Sequence, residues 1–209
     1  EPCPMCAAAA VWSGISEIAY GCSITESLRQ GRKRIKLKCS EVFERAGSDI
    51  KIHEGILSHE CSILYRRDVR AEIEKLRNAD KKVFDELSTD STNRRLKWFK
   101  ENRERFGFTD DDILASGYRL LLDRFKITED EAPVVARSDR KIVFHSRNFC
   151  PTLEACKILG LDTRIICKNL NEGSTDALIK QVDPRLKFSR NYKKLRPYAE
   201  YCEEMISIE

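Results

Sequence analysis

Glu1-Pro2-Cys3-Pro4-Met5-Cys6 sets two thiols three residues apart, directly ahead of the apolar stretch Ala7 to Trp12. Pro2 and Pro4 hold the approach extended, and Pro4 falls where a starting helix loses little by lacking an N–H. The spacing predicts that Cys3 and Cys6 sit on the first turn of a helix. There, unpaired N–H groups and the positive end of the dipole favour thiolate over thiol, which suits a zinc ion. Half of a structural zinc knuckle or a redox dithiol reads the same way. No second C-x-x-C supports a knuckle, since Cys22, Cys39 and Cys61 are isolated. A thioredoxin-like dithiol should follow a strand, and nothing precedes Glu1 to supply one.

Working outward, Ile18-Ala19-Tyr20-Gly21 reads as a buried strand and Arg34 to Lys38 as a strand edge. Ser40 to Ala46 reads as a helix with a Ser cap and Gly47 as its stop. Asp49 to His53 alternates as another strand, with Ile50 and Ile52 on one face. From Ser58 onward, Cys61, Leu64, Tyr65, Val69, Ile73 and Leu76 recur at three- and four-residue steps, predicting one long amphipathic helix. Alternating strand and helix predicts a doubly wound α/β sheet with right-handed crossovers.

P-C-x-x-C is the second half of the zinc deaminase signature, whose first half is H-x-E. Glu1 to Ile15, Glu17 to Gly21, Arg34-Ile35-Lys36-Leu37, Glu54-Gly55-Ile56-Leu57, Glu60-Cys61 and Leu64-Tyr65 follow in one order. Together they resemble the cytidine/deoxycytidylate deaminase superfamily, in the branch of guanine deaminase, fungal cytosine deaminase and tRNA adenosine deaminase. The resemblance covers roughly the first 75 residues. It implies a three-layer α/β/α cytidine-deaminase-like sheet with Cys3 and Cys6 as two zinc ligands, a nucleobase or nucleoside substrate, hydrolysis of an amine to a carbonyl plus ammonia, and pairing as a homodimer.

His occurs only at His53, His59 and His145, none within H-x-E. The third ligand and the proton-shuttling glutamate therefore have no position here, and the sheet is expected to lack its N-terminal strands. The chain reads as a fragment of a longer protein, inactive as it stands and aggregation-prone along its open edge. The alternative from another class is a non-catalytic RNA- or ligand-binding module on a degenerate deaminase scaffold.

With 209 residues, two modest cores are expected. No apolar run approaches the ~18 residues of a membrane helix. Nine cysteines without a regular framework suggest free thiols in a reducing, cytoplasmic setting, and a net charge of +4 permits an anionic partner. Residues 1–87 are read as the deaminase portion, Ser88-Thr89-Asp90-Ser91-Thr92-Asn93 as a polar linker, and 94–209 as a small α+β domain. In that tail, Arg94 to Phe106 reads as a basic helix. Thr109 is expected to cap an amphipathic helix carrying Ile113, Leu114, Tyr118, Leu121, Leu122 and Phe125. Val134-Val135-Ala136 and Ile142-Val143-Phe144 read as a hairpin, Pro151 to Leu159 as a helix, Arg164 to Cys167 as a strand, Asp176 to Val182 as a helix and Met205 to Ile208 as a final strand.

The tail carries Cys150, Cys156, Cys167 and Cys202 at spacings unlike a zinc knuckle, which favours small apolar core residues over a sensor or metal site. Its order around Phe149-Cys150-Pro151, Leu153 to Cys156, Gly160 to Arg164 and Tyr201-Cys202-Glu203 is similar to small domains of the aminothiazoline-carboxylate hydrolase-like group, more faintly than the first resemblance. Arg185, Lys187, Arg190, Lys193, Lys194 and Arg196, interleaved with Phe188, Tyr192 and Tyr198, form a candidate surface for single-stranded RNA. The competing reading is a solvated face with its aromatics turned inward. Trp12 is expected to be buried beneath the metal helix.

Overall fold

The computed structural model describes residues 1–77, 81–107 and 112–209, the side chains of 81 and 82 excepted. The chain is mixed α/β and divides into two compact units, Glu1–Glu74 and Lys75–Glu209.

The first unit is built on a parallel pair, β1 (Glu17–Tyr20) and β2 (Lys51–Glu54), in the register Ile18 to Ile52. Three helices surround the pair in sequence: α1 (Pro4–Trp12), α2 (Ile24–Arg29) and α3 (Cys39–Arg45). Ala7 and Ala10 of α1 are buried with Cys39 and Phe43 of α3, and Ile18, Tyr20, Ile50 and Ile52 pack against them. Alanines on the contact face let α1 approach closely. Trp12 points the other way at 88 % exposure, with Met5 and Ile15 also in solvent, so the expectation of a buried Trp12 is corrected.

Arg34 to Leu37 forms no strand, and the long helix expected from Ser58 is two: α4 (Ser58–Ile63) and α5 (Arg67–Leu76). The break comes where Asp68 stays local, taking a two-pronged bond from Arg66 at 2.7 and 3.0 Å and a third from the Val69 N–H. Side chains of Asp type that bond nearby backbone favour helix starts over helix interiors. Leu64, expected on the buried face, is half-exposed, while Val69, Ile73 and Leu76 are buried.

The second unit holds an antiparallel sheet, ordered β3 (Val134–Ser138), β4 (Lys141–Ser146), β6 (Cys202–Ile208), β5 (Leu186–Arg190). Alternation on β4 turns Ile142, Phe144 and Ser146 inward. Helix α7 (Ile113–Phe125) buries Ile113, Leu114, Tyr118, Leu120 and Leu121 in the core shared with Phe144, Leu186, Phe188 and Ile206. Asp112 caps α7 by accepting from the Ala115 N–H at 3.0 Å, and Thr109, the expected cap, lies outside the described residues.

Residues 88–93 are not a linker. They lie within the 22-residue helix α6 (Lys81–Asn102). The polar side chains that suggest a loop serve the helix instead: Thr89 and Thr92 hydroxyls donate to the carbonyls of Asp85 and Ser88, and buried Ser91 donates to Ser174 at 3.3 Å. Small hydroxyl residues leave room for α6 to pack against α10 (Gly173–Ile179).

Helix α8 (Pro151–Leu159) has Pro at its start and Gly160 in the left-handed region at its end, as its sequence indicates. Arg164 to Cys167 is helical rather than extended: α9 (Thr163–Ile166) runs through a π turn (Cys167–Glu172) into α10. Asp162 starts it, accepting from the Arg164 N–H at 2.8 Å, and this cap outweighs the β preference of Ile165 and Ile166. Among the described residues no helix is long and apolar enough to cross a membrane.

Candidate functional site

Cys3 is the extended residue before α1, with Pro4 at the first helical position, and the Ala7 N–H closes the first turn on the Cys3 carbonyl at 2.9 Å. This turn brings Cys3 Sγ and Cys6 Sγ to 3.5 Å. Two sulfurs at ~2.3 Å from a tetrahedral zinc stand about 3.8 Å apart, so the pair already has the span of two ligands. The Cys6 N–H, then the Cys6 side chain, holds the Cys3 thiol below its ordinary range. Its partner goes the other way, because a hydrogen shared with Cys3 and the charge on Cys3 both disfavour a second thiolate. Arg34 lowers both electrostatically. Two sulfurs at ligand spacing, one of them with its thiol lowered, form a donor set fit for half of a zinc cage. Among the described residues no group of three or more His, Cys, Asp and Glu side chains forms a metal-binding cluster.

The loop carrying the thiols is anchored by a residue that motif reading passes over. Glu1 Oε2 accepts from the Ile24 N–H at 2.7 Å and Oε1 from the Cys39 N–H at 2.9 Å, so one carboxylate spans the first residues of α2 and α3. Just past β1, Gly21 lies so close to the turn after β2 and to α4 that a Cβ there would stand 2.3 Å from Cys61 Sγ and 2.5 Å from the Ile56 carbonyl. Burial pushes the Cys39 thiol up to about 11, and Glu1 adds to the shift. Cys22 is also raised by burial. His53 bonds exposed Glu17 at 3.1 Å and His59 is exposed, so neither joins the thiols.

A second site lies wholly within Lys75–Glu209. A cavity of about 240 Å³ opens between the inner ends of β4, β5 and β6 and helices α6 and α7. Arg190 and Glu204 form an ion pair at 2.7 Å on its wall, each 12 % exposed, and Ser146 donates to the second Glu204 oxygen at 2.5 Å. Among the described residues Arg190 Nη1 is buried without a partner, as is Nε of Arg196, another lining residue. Arg95, 8 % exposed, donates to the Asn171 carbonyl and to Thr175 Oγ1 and lies 5.0 Å from the centre of the Phe125 ring. Burial first, then Arg190, Arg124 and Arg94, push its pKa down to about 9, which still leaves it charged at neutral pH.

Cys150, Cys167 and Cys202 line this same cavity, while Cys156 is buried elsewhere in the unit. Burial raises the thiols of Cys150 and Cys167, the latter to about 12, as expected of apolar core cysteines. All nine cysteines are free thiols.

The basic run is not one outward face. Arg190 is turned inward to Glu204, Arg185 binds Asp183 at 2.8 Å, Lys187 faces Asp176 at 3.7 Å, and Lys194 binds Glu203 at 3.0 Å. Arg196 donates to the carbonyls of Arg147 and Asn148, which leaves Lys193 exposed without an ion pair among the described residues. Phe188 is in the core, Tyr192 donates to Glu172, and Tyr198 lies under Arg164. A period-two pattern, Leu186 and Phe188 inward, makes the start of the stretch strand β5. No family model, curated protein or solved structure matches the chain.

Proposed function

We propose that Glu1–Glu74 is part of a zinc-dependent hydrolytic deaminase domain for a nucleobase or nucleoside, with Cys3 and Cys6 as two of the metal's ligands. The observation that carries this reading is the 3.5 Å convergence of the two sulfurs on a helix's first turn. A bound zinc would supply a water of near-neutral pKa for attack on the amine-bearing ring carbon. Cys3 and Cys6 would hold the ion, Arg34 favours their thiolate forms, and Glu1 fixes the loop on α2 and α3.

Parallel β1 and β2 fit the inner strands of the three-layer sheet that this reading requires, and exposed Met5, Trp12 and Ile15 fit a face for its remaining elements. The sequence holds no H-x-E, so on this reading the glutamate that carries the proton to the leaving amine is not assigned to a residue here. Dimer pairing through helices near the metal and a cytoplasmic setting belong to the same proposal. The alternative of an RNA-binding tail draws less support, because four of the six cations of its basic run are already in ion pairs within the fold.

The test is zinc content and ammonia release over guanine, cytosine, adenosine and tRNA, using protein made from the complete coding sequence. Cys3→Ala and Cys6→Ser should each remove both. Ammonia release that survives Cys3→Ala would end the assignment.

A further inference from the structure

Ten consecutive residues of the first unit, Arg29 to Lys38, hold six basic side chains and no acid. Most of that charge is not used inside the fold. After α2 the chain runs as a loop against the start of α5, where Arg67 donates to the Gly31 carbonyl at 3.1 Å and Arg34 to the Tyr65 hydroxyl at 3.5 Å. A depression of about 460 Å³ results, lined by Gly31, Arg32, Lys33, Arg34, Arg67 and Arg70. Its wall carries five cations and no carboxylate. The nearby acids are taken, Glu26 by Arg29 and Asp68 by Arg66, and among the described residues none of the five is in an ion pair. Like charges held together repel, and an anionic partner turns that repulsion into attraction.

The apolar neighbours of these cations decide which polyanion fits. Ile35, 67 % exposed, stands between Arg34 and Lys36, and Leu64, 50 % exposed, precedes Tyr65. An aliphatic side chain set among Lys and Arg suits the surface of an anionic bilayer: the cations reach the headgroups while the aliphatic group enters the boundary with the acyl chains. Single-stranded RNA is held instead by stacking its bases on open aromatic faces. The ring at this site, Tyr65, is half-buried and already has Arg32 and Arg34 at 5.3 and 5.9 Å from its centre. A nucleic-acid duplex would meet the charge but leave Ile35 and Leu64 in water.

We propose that this face docks on an anionic lipid surface, with Arg32, Lys33, Arg67 and Arg70 on the headgroups and Ile35 as the apolar anchor. Such a contact lies on the bilayer without crossing it. Every residue it uses belongs to Glu1–Glu74, and it does not rest on the zinc reading, since neither thiol takes part. Failure of lipid binding would leave zinc content unchanged.

The experiment is co-sedimentation of the 209-residue chain with vesicles of phosphatidylcholine alone and of phosphatidylcholine with roughly 30 % phosphatidylserine, beside titration with single-stranded oligouridylate in the same buffer. The chain should bind the anionic vesicles only, and leave them as salt rises from about 0.1 M to about 0.5 M. A cation near such a surface is worth about fivefold in affinity, so Arg32→Gln, Lys33→Gln and Arg70→Gln together should cost on the order of a hundredfold. Ile35→Ser should lower vesicle affinity about tenfold at unchanged charge, with Tm and oligouridylate affinity as in the parent. Ile35 lies in solvent, so that variant decides even if the triple one folds poorly. Equal binding to neutral vesicles, binding to neither kind, or oligouridylate bound more tightly than the anionic vesicles would overturn the proposal. So would parental vesicle affinity in Ile35→Ser.

Discussion

Replacing Glu1 by Ala tests how the thiol loop is held. The carboxylate accepts two backbone N–H groups, Ile24 at 2.7 Å and Cys39 at 2.9 Å, each at the first residue of a short helix. Losing one capping acceptor costs about 0.5–2 kcal/mol. Two such bonds on a half-buried, charged acceptor therefore put Glu1→Ala at about 2 kcal/mol, and Glu1→Gln, which keeps one acceptor oxygen, at about half that. For a unit the size of Glu1–Glu74 the Ala change corresponds to a fall in Tm of roughly 8 to 16 °C. Thermal unfolding should be paired with amide hydrogen exchange, where protection should drop first at Ile24 and Cys39. A variant that melts within 1 °C of the parent with both amides still protected would refute the anchoring role.

Gly21→Ala should destabilise the first unit by about 1–3 kcal/mol in denaturant titrations, because the added carbon meets Cys61 Sγ and the Ile56 carbonyl. Adding Cys61→Gly should recover only part, since the carbonyl remains. Ser91→Leu should cost the second unit about 1–3 kcal/mol by overpacking α6 against Ser174, whereas a solvated linker would tolerate it without change in melting. Glu203 is held at about 2, below its ordinary 4.5, by bonds from Asn191, Lys194 and His145. A depressed carboxylate stabilises the fold above its unfolded pKa, so this contribution should be complete above pH 4.5 and fade as pH falls towards 2. Glu203→Gln should flatten the acid limb of a stability–pH curve over that window.

Elements set by local chemistry were legible in the sequence. Proline at the start and glycine at the end define Pro151–Leu159, period-two apolar residues define β4, and the prolines around Cys3 place both thiols on one turn. Elements set by tertiary contact were not. Residues 88–93 look like a loop until the α6 packing that needs small hydroxyl side chains is seen, and charge conceals strand β5 because its alternation lies under the basic residues. Glu1 carries no motif of its own, as its partners lie 23 and 38 residues away. The arginine cavity was hidden for a similar reason: Arg95, Arg190 and Glu204 come from separate elements, and composition gives no sign that such residues are buried together.

X-ray absorption at the zinc edge, on protein expressed from its complete coding sequence, addresses the central claim most directly. The account predicts one zinc per chain with two sulfur neighbours at about 2.3 Å and two lighter ones, and loss of that zinc in Cys3→Ala and in Cys6→Ser. Absence of zinc from the unsubstituted protein, or a zinc whose sulfur shell is unchanged when Cys3 or Cys6 is replaced, would contradict it.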